Sequence, residues 1–139
     1  MSLPDYNATL DAVKVSLAAF MPGRHVQRKL ALAADESRER LTAGVVCLVS
    51  EKGGNFANWR GREAQQGTID VALVGFLQVA ESTGSDAVER AELVLLGEML
   101  AWVAGGVTGA DRVTAGDWRQ SRQLEHPFGW VVLELTVKP

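Results

Sequence analysis

A single cysteine, Cys47, leaves this chain of 139 residues with no partner for an intramolecular disulfide. It falls inside the apolar run Val45–Val49, with no histidine or lysine beside it to favour the thiolate. A small buried hydrophobe is the expected role there, not a reactive thiol. Only two histidines are present, His25 and His126, far apart and without a second ligand at helical spacing. Zinc or iron sites need clustered ligands, so no metal is expected. The same scarcity argues against a serine or Cys47 working with a histidine base.

Long apolar runs are also missing: nothing approaches the roughly 20 residues a membrane-spanning helix requires. Met1–Asp5 carries no positive segment ahead of an apolar one, so no secretory leader is expected and the chain reads as soluble and intracellular where it is made. A net charge of −3 gives no broad cationic surface for nucleic acid. The local cluster Arg24, Arg28 and Lys29 could meet a phosphate, but a solvated edge is the simpler reading. Phosphate cradles fail as well. Lys52-Gly53-Gly54-Asn55 lacks both the Gly-Lys-Ser/Thr ending and a following helix, and Gly105-Gly106-Val107-Thr108-Gly109 follows a helix instead of opening one. Asp35-Glu36 lies in charged sequence with nothing to separate two carboxylate roles. The chain is therefore expected to be no enzyme and to carry no cofactor.

What is present is enough apolar sequence, 47%, to build one core in one domain over residues 1–139. Asp5 is a plausible helix cap, and Tyr6, Leu10, Val13, Leu17 and Phe20 share one helical face before Met21-Pro22-Gly23 ends it. Residues 24–42 are ambiguous, with a weak strand near His25–Leu32 and a possible helical turn at Asp35–Leu41. Ala43–Ser50 reads as a buried strand, broken by Glu51-Lys52-Gly53-Gly54-Asn55. Thr68–Ala80 alternates as a second strand, and the two should form an antiparallel hairpin around the long connection Lys52–Gln66. A helix follows, with Asp86 and Glu89 resembling a capping box and Val88, Ala91, Leu95, Met99 and Trp102 as its buried stripe, widened by Leu96 and Val103. Gly105-Gly106 stops it. Residues 107–126 are mixed, with Trp118-Arg119-Gln120 the one hint of a strand, and Phe128–Val137 is the last strand. The expected fold is α+β: an antiparallel or mixed sheet of about four strands packed against two helices on one face, with a long hairpin loop.

Two of the four tryptophans sit in polar, arginine-flanked sequence: Trp59-Arg60-Gly61-Arg62 and Trp118-Arg119. Tryptophan and arginine are enriched at interface hot spots, since both offer large contact area. For Trp59 an interface and burial within its own domain stand equally; for Trp118 burial within the domain is the simpler reading. Trp102 and Trp130 read as core or sheet-face residues. The candidate interface residues are Lys52, Phe56, Trp59, Arg60, Arg62, Trp118 and Arg119.

Taken in order, these segments are an amphipathic helix, a hairpin with a long tip, the helix from Asp86 to Trp102, a polar stretch, and the strand Phe128-Gly129-Trp130-Val131-Val132-Leu133-Glu134-Leu135. That order and length resemble the tail terminator, or tail completion, proteins of long-tailed phages, including the lambda-type minor tail protein U. No short motif supports the likeness, so no functional residue transfers by position. The resemblance implies a homo-hexameric ring that caps the tail tube, halts its polymerisation and joins it to the head connector or neck protein. It implies a virion location at the head-proximal end of the tail after synthesis in the host cytoplasm. DNA would pass through the lumen without specific binding, and no membrane would be involved. A neck or head-closure protein, and a small non-catalytic ligand-binding or regulatory module, are the alternatives.

Overall fold

A computed structural model describes residues 4–30, 35–56 and 67–139. Within these, the chain forms α1 (Tyr6–Phe20), β1 (His25–Gln27), α2 (Arg38–Ala43), β2 (Val45–Gly54), β3 (Thr68–Gln78), α3 (Asp86–Gly105), β4 (Arg112–Gln120) and β5 (Phe128–Lys138). The strands make one sheet in the order β1-β2-β3-β5-β4, antiparallel except for the β1–β2 pair.

The first helix begins where Asp5 accepts a hydrogen bond from the Ala8 N–H at 2.9 Å, satisfying a donor that the helix itself leaves open. Leu10, Val13 and Leu17 are buried as their spacing requires, while Phe20 at the end of that stripe is exposed. Alternation governs the central strands. Val46 and Leu48, then Ile69, Val71, Leu73 and Leu77, then Val131, Leu133, Leu135 and Val137 all face the same core as α1 and α3. The expected hairpin is present: β2 and β3 pair antiparallel from Val45↔Phe76 to Gly54↔Thr68.

The α+β fold with a mixed sheet is present, one expectation is refined and two are corrected. The sheet has five strands and the chain three helices among the described residues, and the helices do not all lie on one face. The short α2 sits on the opposite side, where Leu41 buries against Val45 and Cys47 beside the half-buried Val74, Phe76 and Phe128. That second face is too apolar to stand open, and the connection between the parallel strands β1 and β2 supplies its cover. Second, Glu51–Asn55 does not end β2. The strand continues to Gly54 through a register shift between Ser50 and Lys52, because β3 provides ladder partners that override weak local propensity. Third, α3 has no capping box. Ser85 at its N-cap makes no side-chain bond, and Asp86 pairs with Arg90 at 3.3 Å.

Helix α3 approaches the sheet closely because two glycines lie beneath it. A Cβ at Gly75 would stand 2.5 Å from Leu95 Cδ2, and one at Gly129 would stand 2.5 Å from Val88 Cγ1. Both are closer than carbon atoms can pack, so side chains here would lift the helix. Leu95, completely buried over Gly75, is the test of this seat. Leu95→Ala should lower stability by about 2–5 kcal/mol, read from the denaturant midpoint or melting temperature. An unchanged melting temperature would show the helix face to be misassigned.

Candidate functional site

In two places of the described structure, exposed large side chains border a groove or trough. The first is the root of the β2–β3 hairpin, where a groove of about 400 Å³ is lined by Tyr6 and Leu10 of α1, by Arg28, and by Lys52, Phe56 and Ile69. Phe56 is 47% exposed, a large aromatic ring held at the mouth of an open groove. Lys52 and Phe56 thus line the same groove. Trp59, Arg60 and Arg62 lie outside the described residues.

The second place is the β4 edge. Trp118 pairs with Leu133 and Arg119 with Val132, so they stand across the sheet from Lys52, with β3 and β5 between. Trp118 is 46% exposed, which corrects the expectation that its ring is buried within the domain. An edge strand has neighbours on one side only, and the register shift between Ala115 and Trp118 further loosens its cover. A shallow trough beside it is lined by Trp118, Arg119, Arg122, Leu124 and Trp130. Leu124 projects from the β4–β5 turn and is largely exposed. Arg122 and Gln123 in that turn both take left-handed backbone conformations, at φ 59° and 64°. Each costs on the order of 1 kcal/mol, so something must hold the turn in place.

What holds it is Glu92. This carboxylate is completely buried on α3. Oε1 accepts from Gln120 Nε2 at 3.1 Å, and Oε2 accepts from the Trp130 N–H at 2.9 Å and from Ser121 Oγ. One acid therefore ties α3 to the end of β4, the start of the turn and β5. Gly129 makes room for it, since a Cβ there would come within 2.7 Å of Oε2. A second buried polar hub is Ser16, which accepts from Trp102 Nε1 at 3.1 Å and from the Thr108 N–H at 2.9 Å while donating to the Gly106 carbonyl at 3.1 Å. Sequence reasoning missed both. The signal was there for Glu92: it falls four residues after Val88 and three before Leu95, inside the apolar stripe of α3.

The basic cluster is drawn into internal contacts. Arg24 pairs with Glu98 at 2.5 Å and donates to the Ala43 carbonyl, and Arg28 pairs with Asp11 at 3.0 Å and reaches Asn7. Only Lys29 of the three is exposed. Cys47 is fully buried on the face that α2 covers. His25 and His126 stay apart, in edge strand β1 and in the β4–β5 turn. Among the described residues no group of three or more histidines, cysteines or carboxylates could hold a metal ion, and no helix is long and apolar enough to cross a membrane. The chain matches no protein-family model and no curated protein.

Glu92→Gln keeps the size of the side chain but replaces one acceptor oxygen with a donor facing donors. Stability should fall by about 1–3 kcal/mol, seen as a lower urea midpoint at unchanged slope. Equal stability of the variant and the parent would remove Glu92 as the fastener of the turn.

Proposed function

We propose that this chain is a ring-forming assembly protein of the phage tail-terminator type, acting through surfaces and not through chemistry. The reading rests on the order of its elements, α1, the β2–β3 hairpin with a long connection, α3, and a returning C-terminal strand. The observation that carries it is the hairpin root. An open apolar groove carrying Phe56 and Lys52 lies where residues 57–66 leave and rejoin the sheet. A partner seated there would bury an aromatic ring and contact a flexible cation together, the combination expected at an interface centre and its rim.

Six copies would need two different surfaces that meet head to tail, because a ring closes by heterologous contacts. The hairpin root and the β4 edge are two such surfaces on one molecule, separated by β3 and β5. In this proposal the ring caps a tail tube at the head-proximal end and meets the head connector or neck protein on its other side. DNA would pass through a lumen lined by a chain of net charge −3. The groove also favours a second reading, a small non-catalytic ligand-binding module, since pockets of about 400 Å³ suit compact ligands.

Replacing residues 57–66 with a short Gly/Ser linker should leave the circular-dichroism spectrum and melting transition intact while abolishing six-fold rings or end-capping of tail tubes in electron micrographs. Trp118→Ala should weaken ring assembly at least tenfold without unfolding the chain, measured by mass against concentration. Rings that form equally well in both variants would refute the assignment of these surfaces. A linker variant that fails to fold would refute an interface role for residues 57–66.

A further inference from the structure

The β4–β5 turn holds two side chains where its backbone disfavours them. Arg122 and Gln123, at φ 59° and 64°, fill the middle of a turn closed by the Leu124 N–H on the Ser121 carbonyl at 3.4 Å. Asparagine and glycine take that left-handed backbone readily, whereas longer side chains strain it. Nothing inside the molecule offsets the strain at Arg122. Its guanidinium is exposed and has no hydrogen-bond or ion-pair partner among the described residues. Arg119, which borders the same trough, is exposed and unpaired in the same way. Arg24, Arg28, Arg40 and Arg90, by contrast, each reach a carboxylate.

Beside these two cations stand Leu124, 71% exposed, and the half-exposed Trp118. The turn is also rigid at its base, because buried Glu92 binds Gln120, Ser121 and the Trp130 N–H. Its side chains are therefore presented without further ordering on contact, which favours association. Strained backbone, unpaired arginines, a projecting leucine and a buried fastener meet in one turn. Together they suit a partner that sets a carboxylate beside an apolar recess.

The hairpin root of a second copy has both. Its groove of about 400 Å³ is lined by Tyr6, Leu10 and Ile69, with the ring of Phe56 at the mouth. On its rim Glu51 and Lys52 are exposed, and neither has an ion-pair partner among the described residues. The trough also carries Glu125. Each surface thus offers both signs, so that Arg122 can face Glu51 while Glu125 faces Lys52. The β1 edge is a poorer partner, since Arg24 and Arg28 beside it are already engaged with Glu98 and Asp11. A nucleic-acid strand also fits worse, because Glu125 would stand against its phosphates.

We infer that the β4–β5 turn of one copy docks into the hairpin-root groove of the next, with Leu124 entering the groove and Arg122 pairing with Glu51. This contact rests on the ring reading and names the side chains that would close the ring. The two surfaces lie towards opposite ends of β3. Lys52 is level with Asp70, while Gln120 pairs with Val131, which is level with Gly75. One contact therefore leaves a turn and a groove open for further copies, head to tail.

Sedimentation equilibrium of the full chain, from micromolar to near-millimolar concentration, should show reversible association of the parent. Arg122→Glu and Glu51→Arg should each weaken it about tenfold or more, and the double variant that exchanges the two charges should recover most of the loss. Arg122→Asn combined with Gln123→Gly should raise the melting temperature yet weaken association, since it relaxes the backbone and removes the cation together. A parent that stays monomeric overturns the contact, as does a charge exchange that restores nothing. A relaxed turn that is no more stable, or that associates like the parent, overturns it as well. Arg122-dependent binding of a single-stranded DNA oligonucleotide, with self-association unchanged, would replace this contact with a nucleic-acid site. Six-fold rings that form equally well in every variant would support the ring and overturn this contact. Association restored by charge exchange, but growing only into open chains in electron micrographs, would support the contact and sink the ring.

Discussion

The seating of α3 on β3 and β5 is the constraint on which the rest of this structure depends. Two absent side chains, at Gly75 and Gly129, set the distance between helix and sheet. At that distance Val88, Leu95, Met99 and Trp102 enter the core completely, and Glu92 reaches the backbone of β5. A carboxylate in that position is tolerable only because the Trp130 N–H, Ser121 Oγ and Gln120 Nε2 all turn towards it. The helix thus specifies the register of the strand below it as well as covering it. A one-residue slip of β5 would set Leu133 and its neighbours on the wrong face and would carry the Trp130 N–H away from its acceptor.

The other end of the same helix is fixed by a different device. Trp102 donates to Ser16, and Ser16 in turn binds both sides of the chain reversal after α3, at Gly106 and Thr108. Together with the Arg24–Glu98 pair, this joins α1 and the segment after it to α3 by polar contacts laid around an apolar interior. The helical layer is therefore held at both ends. Rigidity in that layer, and in the β4–β5 turn that Glu92 fastens, is what allows exposed residues such as Leu124 and Trp118 to be presented in fixed positions.

Much of this fold was legible in the sequence, and the reasons for the rest are specific. The stripe Leu10, Val13, Leu17 and the alternation of β3 and β5 could be read because each element buries one face continuously. β4 could not, because Val113 is its one buried residue and the shift at Gly116 and Asp117 breaks the alternation. α2 was hidden by its length, six residues with only Leu41 buried. The end of β2 was misread because a ladder formed with Thr68 and Ile69 outweighs two glycines. Of the candidate site, Lys52 and Phe56 line one groove, while Trp118 was expected to be more buried than it is. Glu92 escaped notice because the donors that meet it, Gln120, Ser121 and Trp130, lie far along the chain.

The order of strands in space also bears on how the molecule comes into being. β5 lies between β3 and β4 in the sheet, yet it is the last strand in the chain. Its pairing joins Ile69 to Val137, so the main ladder cannot close before residues 128–138 have left the ribosome. Until then β3 has an open edge, β4 has no neighbour at all, and α3 carries a carboxylate with no donors to meet it. A nascent chain in that condition offers a bare strand edge to any other nascent chain nearby.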